Sequence, residues 1–157
     1  MEATASLSCG SETAQGDDAV DWTLELIVVP VADVDRAKAF YMDRAGFVLD
    51  VDFAVGDFRV VQLTPQGSAC SIALMKNTEA PGSMPGLQIV VADIEAGRAE
   101  LLGRGMNVSD FFHFDAGQQT DGLDPQRANY ASFCSFNDPD GNRWLIQEVD
   151  RSKPAAA

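Results

Sequence analysis

Apolar residues gather along this chain in short blocks, and the blocks fall into two similar sets. The run Ile27-Val28-Val29-Pro30-Val31 is rich in β-branched residues and is closed by Ala32-Asp33. A second run, Ile89-Val90-Val91, is closed by Ala92-Asp93, so the Val-Ala-Asp triplets at 31–33 and 91–93 stand sixty residues apart. Short β-branched runs that stop at a turn signal predict buried strands, and their recurrence predicts two copies of one unit. After each strand the spacing lengthens. Val34, Ala37, Phe40, Tyr41 and Ala45 recur near the helical period, as do Ile94, Gly97, Leu101 and Leu102. Asp33 and Asp93 are placed to cap these helices, since a short carboxylate accepts from the unbonded N–H groups of the first turn. Gly46, and Gly103 or Gly105, are placed to end them in a left-handed conformation.

Three further strand patterns follow each helix, over residues 48–55, 58–63 and 69–75 and over residues 107–114, 131–136 and 143–149. Asp138-Pro139-Asp140-Gly141 predicts a tight turn before the last of them. The expected fold is α+β: two tandem β-α-β-β-β modules at 22–76 and 87–149, a Pro/Gly-containing linker at 77–86, and polar tails at 1–21 and 150–157. Residues 115–130 are polar and glycine-containing, which predicts a long loop, a lid or an excursion. Arg127 and Tyr130, near its end, are placed to close over a ligand.

A net charge of −13, with only eleven dispersed Lys and Arg, argues against a nucleic-acid partner. No apolar run approaches the roughly 20 residues of a membrane span, and the first residues lack the pattern of a secretory signal; a cytoplasmic protein with no membrane partner is expected. Cys9, Cys70 and Cys134 form no CxxC pair, and the last two sit in apolar runs. Buried, reduced thiols are the expectation for both.

Two strings carry a family resemblance. Val31-Ala32-Asp33-Val34-Asp35-Arg36-Ala37-Lys38-Ala39-Phe40-Tyr41 and Asn137-Asp138-Pro139-Asp140-Gly141-Asn142-Arg143, with the repeat, resemble the vicinal oxygen chelate superfamily of glyoxalases, bleomycin-resistance proteins and extradiol dioxygenases. The resemblance spans about residues 22–149 and implies curved mixed sheets around a cup-shaped cavity. In metal-dependent members the first and last strands of each module supply His, Glu or Gln ligands. Counted from the matched strings, those positions fall at Leu26, Ala73, Leu87 and Leu145. None of these side chains can ligate a divalent ion, so neither a metal nor another cofactor is expected. Glu25, Gln88 and Glu148 lie one or three residues away, and alternation along a strand turns such positions to the opposite face.

The same register places Leu26, Ser71, Ala73, Leu87, Leu145 and Gln147 on the cup's inner face, with Ile89 and Val91. Tyr130 joins them as a candidate ligand contact. Arg59, in a strand otherwise nearly apolar, would anchor a carboxylate or phenolate if it faces the cup, and would be a solvated arginine if it does not. His113, the one histidine, is the candidate for proton transfer, or else a structural strand residue. The resemblance implies metal-independent binding of a small aromatic molecule by a homodimer, in the manner of the bleomycin-resistance branch. A metal-free isomerase, lyase or cyclase using His113 is the alternative, and a metal-dependent glyoxalase or dioxygenase comes third.

Overall fold

In the computed structural model the described residues are 19–153; Cys9, most of the N-terminal tail and residues 154–157 lie outside them. The first module runs β1 (Leu26–Pro30), α1 (Val34–Asp43), β2 (Val48–Val55), β3 (Phe58–Thr64) and β4 (Ser71–Met75). The second runs β5 (Leu87–Val91), α2 (Ile94–Gly103), β6 (Phe112–Asp115), β7 (Gln118–Asp121), β8 (Ser132–Asn137) and β9 (Arg143–Glu148). The fold is α+β, with sheets ordered β1-β4-β3-β2 and β5-β9-β8-β6-β7. In each sheet the module's first and last strands lie side by side and parallel, while the other pairs are antiparallel.

Both helices begin where the aspartates predict. Asp33 accepts from the Arg36 N–H at 3.0 Å, and Asp93 accepts from the Ala96 N–H at 3.1 Å. Gly46 and Gly105 hold left-handed φ values of 77° and 85°, just beyond the C-caps Arg44 and Arg104. One expectation is corrected. The segment 115–130 is not all loop, because β7 pairs antiparallel with β6 across a turn at Ala116-Gly117. Gln118-Gln119-Thr120-Asp121 is an exposed edge strand; with no face to bury, it carries no apolar alternation to betray it.

Val29, Val61, Leu63, Ile72 and Leu74 of the first sheet pack beneath Ala37 and Tyr41 of α1. In the second sheet Cys134, Trp144 and Ile146 play that part beneath Ile94 and Leu101 of α2, and the two groups form one continuous core. Each large apolar side chain removed from water there contributes roughly 1.5–3 kcal/mol. At the junction the Tyr41 ring meets Trp144 at 5.9 Å and Phe40 meets Phe136 at 6.1 Å between centroids.

A polar tie crosses the same junction. The Trp144 indole N–H donates to the Tyr41 hydroxyl at 2.9 Å, and that hydroxyl donates to Asp138 at 2.7 Å. Asn142 donates to Asp138 at 2.7 Å and to the Pro30 carbonyl at 3.0 Å, while accepting from the linker's Met84 N–H at 3.0 Å. The turn before the last strand thus binds β1, the linker and α1 together. Because the helix-covered sides of both sheets look into this shared core, their other sides face outward. The chain presents two open sheet faces, each half of a cup. Among the described residues no helix is long and apolar enough to cross a membrane.

Candidate functional site

Strand alternation decides which residues the open faces display. In the first sheet Leu26 lies beside Ser71, and Val28 beside Ala73, which in turn lies beside Gln62. Their neighbours Val29, Val61, Ile72 and Leu74 point into the core, so Leu26, Ser71 and Ala73 turn to the other face, with Ser71 and Ala73 buried there. The outer strands extend that face through the pairs Phe53 with Val60 and Val55 with Phe58. Phe53 and Phe58 stack edge-on at 6.3 Å, and Phe53, Val55 and Phe58 are 51%, 62% and 48% exposed. Isolated monomers seldom carry large contiguous patches of exposed apolar side chains of this kind.

In the second sheet Leu145 and Gln147 also face outward, beside Ser135 and Phe133. Leu87 does not. It pairs with Trp144, is buried in the core, and cannot touch a ligand on the open face. Ile89 and Val91 share its inward direction, because α2 needs apolar partners beneath it. Gln88 and Val90 are the outward residues of β5. The Gln88 amide donates to Gln147 at 2.7 Å, and Gln147 donates to the Tyr130 carbonyl at 3.1 Å. Phe112, Phe114 and Phe133 form an aromatic wall on the same face, with Phe112 and Phe133 stacked at 5.6 Å and Phe114 edge-on to Phe133 at 5.6 Å; Phe114 is half exposed, while Phe112 and Phe133 are buried. Sequence reasoning missed this wall, although Phe112 and Phe114 flank His113 at strand spacing.

The two basic candidates turn the other way. His113 lies beside Ser132 and Thr120 on the helix side, 8% exposed. Its Nδ1–H donates to the Gly122 carbonyl at 2.7 Å; that carbonyl can only accept, which fixes the proton on Nδ1. Arg59 shares the parity of Val61 and Leu63, so it too lies on the helix side. Its guanidinium donates to both oxygens of Asp52 at 3.0 and 2.9 Å and to Asp35 of α1 at 2.6 Å. Arg59, and after it Lys38, hold the Asp52 carboxyl down at about 2. Neither His113 nor Arg59 reaches the open faces, which corrects both expectations.

Arg127 does not close over a ligand either. It donates to Glu148 at 2.9 and 2.6 Å and to Glu95 at 3.1 Å, fastening the loop to α2 and β9. Glu148 is 2% exposed and also accepts from the Ile94 N–H at 3.0 Å. Its carboxyl sits below the ordinary range, first because of Arg127. Tyr130 is half exposed, and its hydroxyl accepts from Arg151 at 3.2 Å. Cys134 is buried, and burial pushes its thiol up to about 11; Cys70 is half-buried, and both are free.

Of Glu25, Gln88 and Glu148, only Gln88 stands on an open face. Among the described residues no three His, Cys, Asp or Glu side chains are grouped to hold a metal ion. A hollow of about 420 Å³ lies on the first sheet's open face, against the loop 65–69. A larger groove of about 910 Å³ runs between α1 and the segment after α2, past Phe40, Met106 and Phe136. Of its rim arginines, Arg36 is engaged with Asp140 at 3.0 Å and Arg44 with the Gly105 carbonyl at 2.7 Å, and Arg143 also lines it.

Residues 23–146 match the family model described as the Glyoxalase/Bleomycin resistance protein/Dioxygenase superfamily. An uncharacterized protein of Shewanella frigidimarina (strain NCIMB 400) is 29% identical over 134 residues, covering 82% of this chain and 94% of that protein. Among solved structures, TnmS3, an antibiotic binding protein from Streptomyces sp. CB03234, is 28% identical with a TM-score of 0.66, covering 83% of this chain and 98% of that one. A glyoxalase/bleomycin resistance protein from the same Streptomyces is 30% identical with a TM-score of 0.63, covering 80% and 100%.

Proposed function

This chain belongs to the Glyoxalase/Bleomycin resistance protein/Dioxygenase superfamily, and from that premise we propose that it binds a planar, largely apolar small molecule on its open sheet faces without a metal ion. One observation carries the proposal. Where the first and last strands of each module meet, the outward-turned residues are Leu26, Leu145, Gln88 and a buried Ala73, in a surround of exposed Val and Phe. A divalent ion needs several oxygen, nitrogen or sulfur donors, and the two neutral amides of Gln88 and Gln147, already bonded to each other, do not make such a set. Apolar walls with a few placed polar groups fit a small-molecule site instead. The likeness to TnmS3, an antibiotic binding protein, supports the same reading.

Binding is favoured over turnover because His113 is spent on the Gly122 carbonyl at the opposite face. In this proposal two copies of the chain pair, so that the valine- and phenylalanine-rich face of one covers a ligand lying on the Phe112-Phe114-Phe133 wall of the other. The free thiols of Cys70 and Cys134 fit a reducing compartment such as the cytoplasm. The test is native mass spectrometry of chelator-treated protein with a panel of antibiotics that carry planar aromatic rings. Retention of at least one, unchanged by added zinc or manganese, is the expected result. Retention of none, or retention only with the metal, overturns the proposal.

A further inference from the structure

The open face of the first sheet contains one departure from regular pairing. Leu49 pairs with Leu63 and Val51 with Gln62, leaving Asp50 as the extra residue of a β-bulge. Bulges re-aim side chains and recur beside binding sites. Here the bulge brings a carboxylate onto the open face, where Asp50, Val48, Gln62, Thr64 and Ser71 border the hollow of about 420 Å³. Asp52, the other acidic residue of these four strands, is committed to Arg59 and Lys38 on the helix side. Asp50 is therefore the one carboxylate that these four strands bring to the open face, among the neutral side chains of Val48, Gln62, Thr64 and Ser71.

Its hydrogen bonding has a direction. The Thr64 hydroxyl donates to Asp50 Oδ2. A hydroxyl has one proton, so in the 2.6 Å contact between Thr64 and Ser71 it is Ser71 that donates. The chain Ser71 to Thr64 to Asp50 delivers its protons to one carboxylate oxygen and fixes the side chain. Among the described residues Asp50 Oδ1 has no partner, and it accepts only. A ligand that reaches into this hollow would meet the Asp50 carboxylate, and a negative group there would be repelled while a donor, above all a cationic one, would be held.

We propose that Asp50, oriented by Thr64 and Ser71, is the specificity-determining anchor of the open face, and that the ligand is a planar apolar molecule carrying an ammonium or similar cationic N–H group. The inference rests on the small-molecule reading of this face and adds the ligand's charge to it. Its test compares three probes of one ring system, naphthylmethylammonium, naphthylmethanol and naphthoate, titrated by calorimetry against the full chain at moderate salt. The expected result is an order ammonium, alcohol, carboxylate, with about tenfold or more between the first and the second. Asp50→Asn should draw the ammonium down to the alcohol's affinity and leave the alcohol unchanged. The three-probe order on the unaltered chain decides the matter even if the variant fails to fold. Equal affinities, or a preference for naphthoate, overturn the anchor and leave the binding proposal standing. An Asp50→Asn variant that alters self-association and not probe order also overturns it. If none of the three binds, the binding proposal itself falls, and the anchor with it.

Discussion

Arg59 and His113 stand out in the sequence because basic groups are scarce in its strands, yet each occupies the parity of its module's core residues. Their chemistry was legible and their direction was not. Gln88 shows the opposite case. The sixty-residue offset sets Val31 against Val91, which sets Val28 against Gln88 and Ile27 against Leu87, so the inward turn of Leu87 could be counted from the repeat. At this scale the strongest dependence is between Arg127 and Glu148. Arg127→Met leaves a buried carboxylate with only the Ile94 N–H, and should cost about 2–3 kcal/mol, below the usual loss for breaking a buried pair because Arg127 is partly solvated. Urea denaturation measures it, and a loss under about 0.5 kcal/mol, the range of an ordinary surface change, would contradict it. The same residues set the acid limit. The folded carboxyls of Glu148 and Asp52 lie below their unfolded values, Asp52 at about 2 against 3.8. Their stabilisation is therefore complete above the unfolded values and lost as pH falls through the folded ones. The urea midpoint should drop between pH about 4 and 2, and drop less in Arg127→Met.

Elements whose faces differ in polarity were legible. Both helices, their aspartate caps and the first strand of each module follow from apolar spacing, because each has one side to bury; the parallel pairing of those strands is seen only in the structure. Strand β7 was not, since all four of its residues are exposed, and the bulge at Asp50 leaves no mark in composition. The β6–β7 turn contains a testable strain. Ala116 and Gly117 have φ values of 51° and 80°, the left-handed pair of a hairpin turn that favours Asn-Gly. An alanine in that conformation is disfavoured, whereas asparagine tolerates it. Ala116→Asn should stabilise the chain by about 0.5–1 kcal/mol, raising the midpoint of thermal unfolding. A lowered midpoint would show that the turn is not held in this form.

Across the whole molecule, one core holds both modules, and that is why both open faces turn outward. Tyr41→Phe removes the hydroxyl that links Trp144 to Asp138, and should cost about 1–3 kcal/mol while unfolding remains a single transition; two separated transitions would mean that the modules are not one unit. The same junction limits alkaline stability. Burial raises Tyr41 far above the ordinary tyrosine range and Cys134 to about 11, so the unfolded chain ionises first. Their stabilisation is present below the unfolded values and lost as pH rises from about 9 toward 11. Pairing of copies is tested by Phe58→Asp, which should shift sedimentation from dimer to monomer. The central claim is that the open faces bind a planar molecule without metal, and amide chemical-shift mapping of chelator-treated protein with naphthylmethylammonium tests it most directly. Shifts should concentrate at Asp50, Val51, Phe53, Phe58, Gln88 and Phe114, with none around Phe40 and Met106. Shifts confined to that groove beside α1, or shifts that appear only after a divalent metal is added, would contradict it.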